Sequence, residues 1–208
     1  MSKKKEPSPF VSRGGLKLEH ALKEFHLDAR GEIALDIGAA TGGFTDCLLQ
    51  RGAARVYAVD VGYGILAWKL RQDPRVIVLE RTNIRNLTAE KLYYSKQKAV
   101  SSKQEAAQRA ELAVIDVSFI SLTKVLPVVY NLLAEKAEVI ALIKPQFEAR
   151  REQVPRGGVI IDQAVRDETI DKIKKAALET GFELGGLTQS PIQGADGNVE
   201  YLIRLIKG

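Results

Sequence analysis

Residues Glu32 to Thr45, EIALDIGAATGGFT, constrain this chain more than any other stretch. Ile33 to Ile37 is a short apolar run with Asp36 near its end, the pattern of a buried parallel strand. Gly38, Gly42 and Gly43 follow, and Phe44 to Arg51 reads as a helix. A strand, a glycine-rich turn and a helix N-terminus in that order form a ligand-binding corner. Backbone N–H groups point out of the turn, and small residues let a ligand approach the main chain.

Gly38 is followed by Ala39, Ala40 and Thr41 before Gly42-Gly43, so the spacing is not G-x-G-x-x-G. That departure weakens a dinucleotide reading. It suits a ligand whose amino-acid and ribose parts lie against the turn, and S-adenosylmethionine is such a ligand. Asp36, Gly38, Ala39, Thr41, Gly42, Gly43 and Phe44 are the candidate cofactor residues of this corner.

Further strands follow in alternation with helical segments. Arg55 to Val59 ends in Asp60, placed where α/β nucleotide-binding folds put an acid on a ribose hydroxyl. Arg75 to Leu79 leads to Asn83 and Ile84, at the strand edge where an adenine ring would lie. Leu112 to Ile115 ends in Asp116, and Val139 to Ile143 ends in Lys144-Pro145. Pro145 stops the ladder and holds Lys144 at the strand's carboxyl end. Phe182 to Ser190 and Val199 to Ile206 read as the last two strands, with Glu200 at the start of the second. The alternation predicts an α/β fold with a doubly wound sheet. Asp116, Lys144 and Glu200 are its candidate catalytic charges.

Outside that frame, residues 1–9 carry three consecutive lysines and two prolines and read as a tail or linker remnant; residues 10–208 form one domain. Phe10 to Leu27 reads as an amphipathic helix in which Lys17 falls off the apolar face. The glycines beside Arg13 suggest close approach to something, such as a phosphate backbone. Lys91 to Arg109 reads as a solvated helix or insertion. Gln146 to Gly158 is a charged loop of a length that can cover a site.

Composition narrows the partners. The 208 residues carry a net charge of +5, which allows an anionic partner without demanding one. One cysteine, Cys47, excludes a disulfide framework and a multi-cysteine metal site, and no metal is expected. No apolar run long enough to span a bilayer and no signal-like start are present, which points to a reducing, cytoplasmic setting.

Several blocks then match a known family. SRGGLKLEHAL, LDIGAATGGFTDCLLQRGA, VYAVDVGYGILAWKLRQDPRV, LERTNIR, IDVSFISL, IKPQFEARREQVPRGGV and GNVEYL resemble the TlyA (hemolysin A) family of FtsJ-like ribose methyltransferases, over essentially Phe10 to Leu205. The resemblance implies a class I, Rossmann-like methyltransferase fold with a mostly parallel seven-stranded sheet and an antiparallel last strand. It implies S-adenosylmethionine-dependent 2′-O-methylation of cytidine ribose in ribosomal RNA or ribosomal subunits; with no segment suited to enter lipid, no membrane partner is expected. It also implies a Lys-Asp-Lys-Glu tetrad, falling on Lys17, Asp116, Lys144 and Glu200. Lys17 thereby moves from a solvated helix position to a catalytic one. Such proteins usually carry a small N-terminal RNA-binding domain, which has no counterpart in residues 1–9. RNA contacts of the core would fall to Arg13, Arg150, Arg151 and Arg156, with salt-dependent affinity. Two rivals stand beside this reading: an NAD-binding Rossmann oxidoreductase and a membrane-lytic, hemolysin-like protein.

Overall fold

The computed structural model describes residues 8–94, 108–194 and 196–208. Seven strands build one sheet: β1 (Ile33–Ile37), β2 (Arg55–Val59), β3 (Val76–Leu79), β4 (Leu112–Ile115), β5 (Ala137–Ile143), β6 (Glu183–Gln189) and β7 (Tyr201–Lys207). Their order across the sheet is β3-β2-β1-β4-β5-β7-β6. β3, β2, β1, β4 and β5 pair in parallel, while β7 is antiparallel to both β5 and β6. The sheet is therefore doubly wound and mostly parallel, as expected, with β7 alone running backwards.

Period-2 alternation distributes the strand side chains between two cores. Ala34, Leu112, Val114, Ile140, Leu142 and Leu202 face helices α1 (Gly14–Glu24), α2 (Gly43–Gln50) and α3 (Trp68–Arg71). Leu35, Ile115, Val139, Ile143 and Ile203 face α4 (Leu126–Leu132) and α6 (Gln163–Thr180) on the other side. A short α5 (Pro145–Glu148) leaves the end of β5. Both faces are covered, which explains why the central strands read as unbroken apolar runs.

Three expectations need adjustment. Of the glycines beside Arg13, Gly15 is required by packing, and it meets Gly43 at the start of α2. A Cβ on Gly43 would sit 2.3 Å from Ser12 Oγ and 2.9 Å from Gly15 N, and one on Gly15 would overlap the Phe10 ring at 2.3 Å. These glycines let α1 lie directly on the start of α2. The segment Gln146–Gly158 is not a free loop. Its first turn is α5, Arg151–Gln153 forms a 3-10 turn, and Glu148 is buried. Of the polar stretch Lys91–Arg109, residues 95–107 lie outside the described residues, as do residues 1–7 of the expected tail. The beginning of that stretch is not solvated, since Leu92 and Tyr93 are buried and Tyr93 Oη donates to Leu132 O at 2.9 Å.

Candidate active site

The strand alternation that sorts the core also aims the charges. Asp116 continues the Leu112–Val114 row of β4, Lys144 continues the Ile140–Leu142 row of β5, and Glu200 precedes Leu202 on β7. All three rows face the α1 side of the sheet. The antiparallel register pairs Ile143 with Tyr201, so the next residues, Lys144 and Glu200, stand opposite each other at the sheet edge. α1 crosses that edge and brings in Lys17, one turn before the core residue Ala21.

The four residues form two ion pairs. Lys17 Nζ lies 2.5 Å from Glu200 Oε2, and the two residues are only 8% and 3% exposed. Lys144 Nζ lies 2.6 Å from Asp116 Oδ1 and donates to Ser118 Oγ at 3.0 Å. A lysine ammonium has three donors; one goes to Ser118 and Asp116 Oδ1 is an ion-pair neighbour without a formed hydrogen bond, so donors remain for a substrate oxygen. The structure thus brings together the tetrad that the motif blocks imply. Apolar spacing could not find Lys17, because its position flanks the buried stripe of α1 and only the packed sheet edge encloses it.

Beside this tetrad runs a cavity of about 420 Å³, within the range of small-molecule sites, lined by Gly38, Ala40, Asp60, Asn83, Ile84 and Asp116 among others. A notch of about 40 Å³ opens from it, with Ser12, Gly14, Ala39, Thr41, Gly43 and Phe44 in its wall. Gly38 takes a left-handed φ of +83°, and a Cβ there would meet Asp116 O at 2.2 Å, so the turn can close on β4 only with glycine. Asp60 is oriented by two backbone donors, Ala40 N at 2.8 Å and Gly62 N at 2.7 Å. Each carboxylate oxygen keeps a lone pair for a ligand hydroxyl. Asn83 caps a short 3-10 turn by accepting from Arg85 N.

Two residues of the expected cofactor corner sit elsewhere. Gly42 is buried under α3, where a Cβ would meet Leu70 Cδ1 at 2.2 Å. Asp36 is fully buried beneath the turn, accepting from Thr45 Oγ1 at 2.6 Å, while its Oδ1 has no hydrogen-bond partner among the described residues. Burial pushes its carboxyl up to about 7 against the Thr45 hydrogen bond, and the charges of Asp116 and Asp60 push the same way. Asp36 supports the turn from below rather than lining the cavity.

Sequence reasoning missed the aromatic side of the site. Phe119 is 91% exposed in a left-handed conformation, φ +62°, and its ring centroid lies 5.0 Å from that of Phe147. Arg85, Lys124, Phe119 and Phe147 line a hollow of about 450 Å³ that shares Phe119 and Arg85 with the 420 Å³ cavity. Lys144 Nζ is 5.9 Å from the Phe147 ring centroid. No periodicity marks these loop residues; a phenylalanine after Asp-Val-Ser was the one available signal.

Glu148 and Asn198 fasten the segment that follows Lys144. Glu148 accepts from Leu122 N at 2.7 Å and Ser121 Oγ at 2.5 Å, and pairs with Lys172 at 3.3 Å. Buried Asn198 accepts from Ile160 N at 2.9 Å and donates to Gly158 O at 2.9 Å. The segment 146–158 is thus fastened at both ends, and its Phe147 lines the aromatic hollow. Arg13, Arg150, Arg151 and Arg156 are exposed, and Arg150 lies 3.7 Å from Glu168. A larger hollow of about 830 Å³ between α4 and α6 has neither the glycine turn nor the tetrad, so size does not decide the site.

One family's pattern matches the chain, over residues 10–207. The chain belongs to the FtsJ-like methyltransferase family. It is 46% identical over 196 residues to the 16S/23S rRNA (cytidine-2′-O)-methyltransferase TlyA of Mycobacterium tuberculosis, covering 94% of this chain and 68% of that protein. A solved Lactococcus lactis structure with a provisional hemolysin designation superposes with a TM-score of 0.87 at 51% identity, over 97% of this chain and 90% of the other. An S-adenosylmethionine-dependent methyltransferase from Mesorhizobium loti shares the fold alone, with a TM-score of 0.60 at 13% identity over 90% of this chain and 96% of that one. The class I methyltransferase fold follows from the family and from the reversed β7, which separates it from an all-parallel dinucleotide-binding sheet. Among the described residues no helix is long and apolar enough to cross a membrane, and no cluster of histidine, cysteine or acidic residues could hold a metal ion.

Proposed function

We propose that this FtsJ-like methyltransferase transfers a methyl group from S-adenosylmethionine to the 2′-hydroxyl of a cytidine ribose in ribosomal RNA. The observation that carries the reading is the pairing of Lys17 with Glu200 and Lys144 with Asp116 at one sheet edge, beside the cofactor cavity. S-adenosylmethionine, when bound, supplies an electrophilic methyl group on a sulfonium centre. Asp60 would hold its ribose hydroxyls, Asn83 and Ile84 would border its adenine, and Ser12 with the Gly38–Gly43 turn would receive its amino-acid end. The carboxylates Asp60 and Asp116 in the cavity wall complement its positive charge.

A ribose hydroxyl is a weak nucleophile at neutral pH and must be placed in line before it reacts. Lys144 would donate an N–H to that oxygen and stabilise the alkoxide character that develops there as the methyl passes from sulfur to oxygen and the hydroxyl proton is released to solvent water. Asp116 and Ser118 fix the Lys144 ammonium in place, which saves the entropy of ordering a flexible side chain during reaction. The buried Lys17–Glu200 pair would hold the ribose from the other side. Phe119 and Phe147, with Arg85 and Lys124, offer ring faces and cations to the base and phosphate of the same nucleotide.

The test is labelled methyl transfer to ribosomal RNA and to ribosomal subunits, followed by alkaline hydrolysis. A 2′-O-methyl blocks strand cleavage at its own nucleotide, so label in alkali-resistant dinucleotides containing cytidine is the expected result. Label released in mononucleotides would contradict ribose methylation. Transfer to subunits but not to naked RNA would narrow the substrate to the assembled particle.

A further inference from the structure

Residues 61–68, between β2 and α3, carry exposed aromatic and apolar side chains that the reaction described above does not use, save Val61 in the cavity wall. Tyr63 and Trp68 are 68% and 73% exposed, and Ile65 also faces solvent. Scattered exposed aliphatics are ordinary, but two large exposed rings within one short stretch, which begins at Val61 in the cavity wall, mark a contact surface.

The stretch is braced. Arg81 N donates to Gly62 O at 3.0 Å, and Gly64 N donates to Glu80 Oε1 at 2.7 Å. Leu66 and Leu70 are buried beneath it against Gly42. Arg81 adopts a left-handed φ of +52°, sparsely populated for a residue with a Cβ, and its guanidinium sits 4.2 Å over the Tyr63 ring. The ring and its cation are therefore held in place before any partner arrives.

We propose that Tyr63 with Arg81, together with Trp68, is a stacking platform for an unpaired base of the RNA substrate, at the opposite end of the cofactor cavity from Lys144. The inference rests on the RNA methyltransferase reading above. The placement follows from strand order: the platform leaves β2, whereas Lys144 leaves β5, with β1 and β4 between them. Every base offers a flat face to an aromatic ring or to the plane of a guanidinium, and the guanidinium stacked over one face of Tyr63 also suits an adjoining phosphate. Arg81 and Arg85 are exposed on this side, Glu80 is paired with Arg71, and Asp60, at the end of β2, is turned to the backbone donors Ala40 N and Gly62 N. The charge thus favours a polyanion with planar faces over an acidic peptide, which would engage the cations and leave the rings uncovered.

Trp68 is the chain's single tryptophan, so its emission reports directly on stacking. The experiment titrates the full chain, saturated with S-adenosylhomocysteine, with a single-stranded oligoribonucleotide, and compares Tyr63→Ala, Trp68→Ala and Arg81→Ala by filter binding. Saturable quenching of Trp68 is expected in the parent. Each variant should bind RNA at least about fivefold more weakly, with unchanged S-adenosylhomocysteine affinity and melting temperature. Three results would overturn the proposal. If the parent methylates RNA and the variants bind RNA equally well, the platform has no RNA role and the function stands. If S-adenosylhomocysteine affinity falls in parallel, the residues belong to the cofactor site. If the parent neither binds nor methylates RNA or ribosomal subunits, the functional reading itself fails and the platform falls with it.

Discussion

Lys17 and Glu200 meet almost out of water, with side chains 10% and 3% exposed. Removing one partner leaves a buried charge without compensation, which costs about 3–5 kcal/mol. Glu200→Gln should lower stability by an amount of that order in urea unfolding. The double variant Lys17→Met with Glu200→Gln should recover most of it while remaining inactive, separating the structural role of the pair from the one proposed for it in transfer. A double variant as unstable as the single one would refute this. Asp36 gives the second residue-scale expectation. Its carboxyl is pushed from 3.8 up to about 7, so between about pH 4 and 7 the folded chain holds a proton that the unfolded chain has released. Stability contributed by this group is therefore present at low pH and lost as pH rises through about 7. Asp36→Asn, which keeps an acceptor for Thr45, should flatten the melting temperature over that window. An unaltered slope would assign the pH dependence to other groups. At this scale the sequence alone was least informative. Asp116 and Lys144 are legible as strand-end charges, but the burial of Lys17 depends on a helix crossing a sheet edge assembled from residues far away in the chain.

α1 and α2 touch through glycine, and Glu19 clamps them. Glu19 accepts from Arg51 Nε at 2.8 Å, and the Arg51 hydrogen bond holds its carboxyl down at about 2. A depressed carboxyl contributes stability above its unfolded value, lost as pH falls from about 4.5 towards 2. Gly43→Ala should loosen this helix contact, because the new Cβ meets main-chain atoms of α1 that cannot rotate away. Lys17 then shifts, so transfer should fall more than S-adenosylhomocysteine binding; equal loss of both would place the damage in the cofactor notch. Asn198→Ala should release residues 158–160, seen as faster amide exchange confined to that strap and the Glu200 turn. Elements were the most legible scale. Arg55–Val59 and Leu112–Ile115 are strands with the limits their apolar runs suggest, because a strand covered on both faces leaves an unbroken hydrophobic signature. Gln146–Gly158 was not legible, since its order comes from Glu148 and Asn198 reaching to distant backbone groups rather than from local periodicity.

For the whole molecule, one sheet edge gathers the cofactor cavity, the two ion pairs, the aromatic hollow and the β2 platform, and strand alternation is what aligns the charges among them. The net charge of +5 and the exposed arginines 13, 150, 151 and 156 predict RNA affinity that falls with salt. Charge reversal at Arg151 or Arg156 should shallow that salt slope without altering S-adenosylhomocysteine binding. The topology followed from alternation of elements, but the reversal of β7 came only with the family resemblance, because no local residue pattern distinguishes a parallel partner from an antiparallel one at a buried strand. The measurement that bears most directly on the central claim is single-turnover methyl transfer by the parent and by Lys144→Ala, run beside S-adenosylhomocysteine titration of both. The tetrad account predicts that transfer falls at least about a hundredfold while the dissociation constant stays within about twofold. Retained transfer, or loss of cofactor affinity in step with rate, would contradict it.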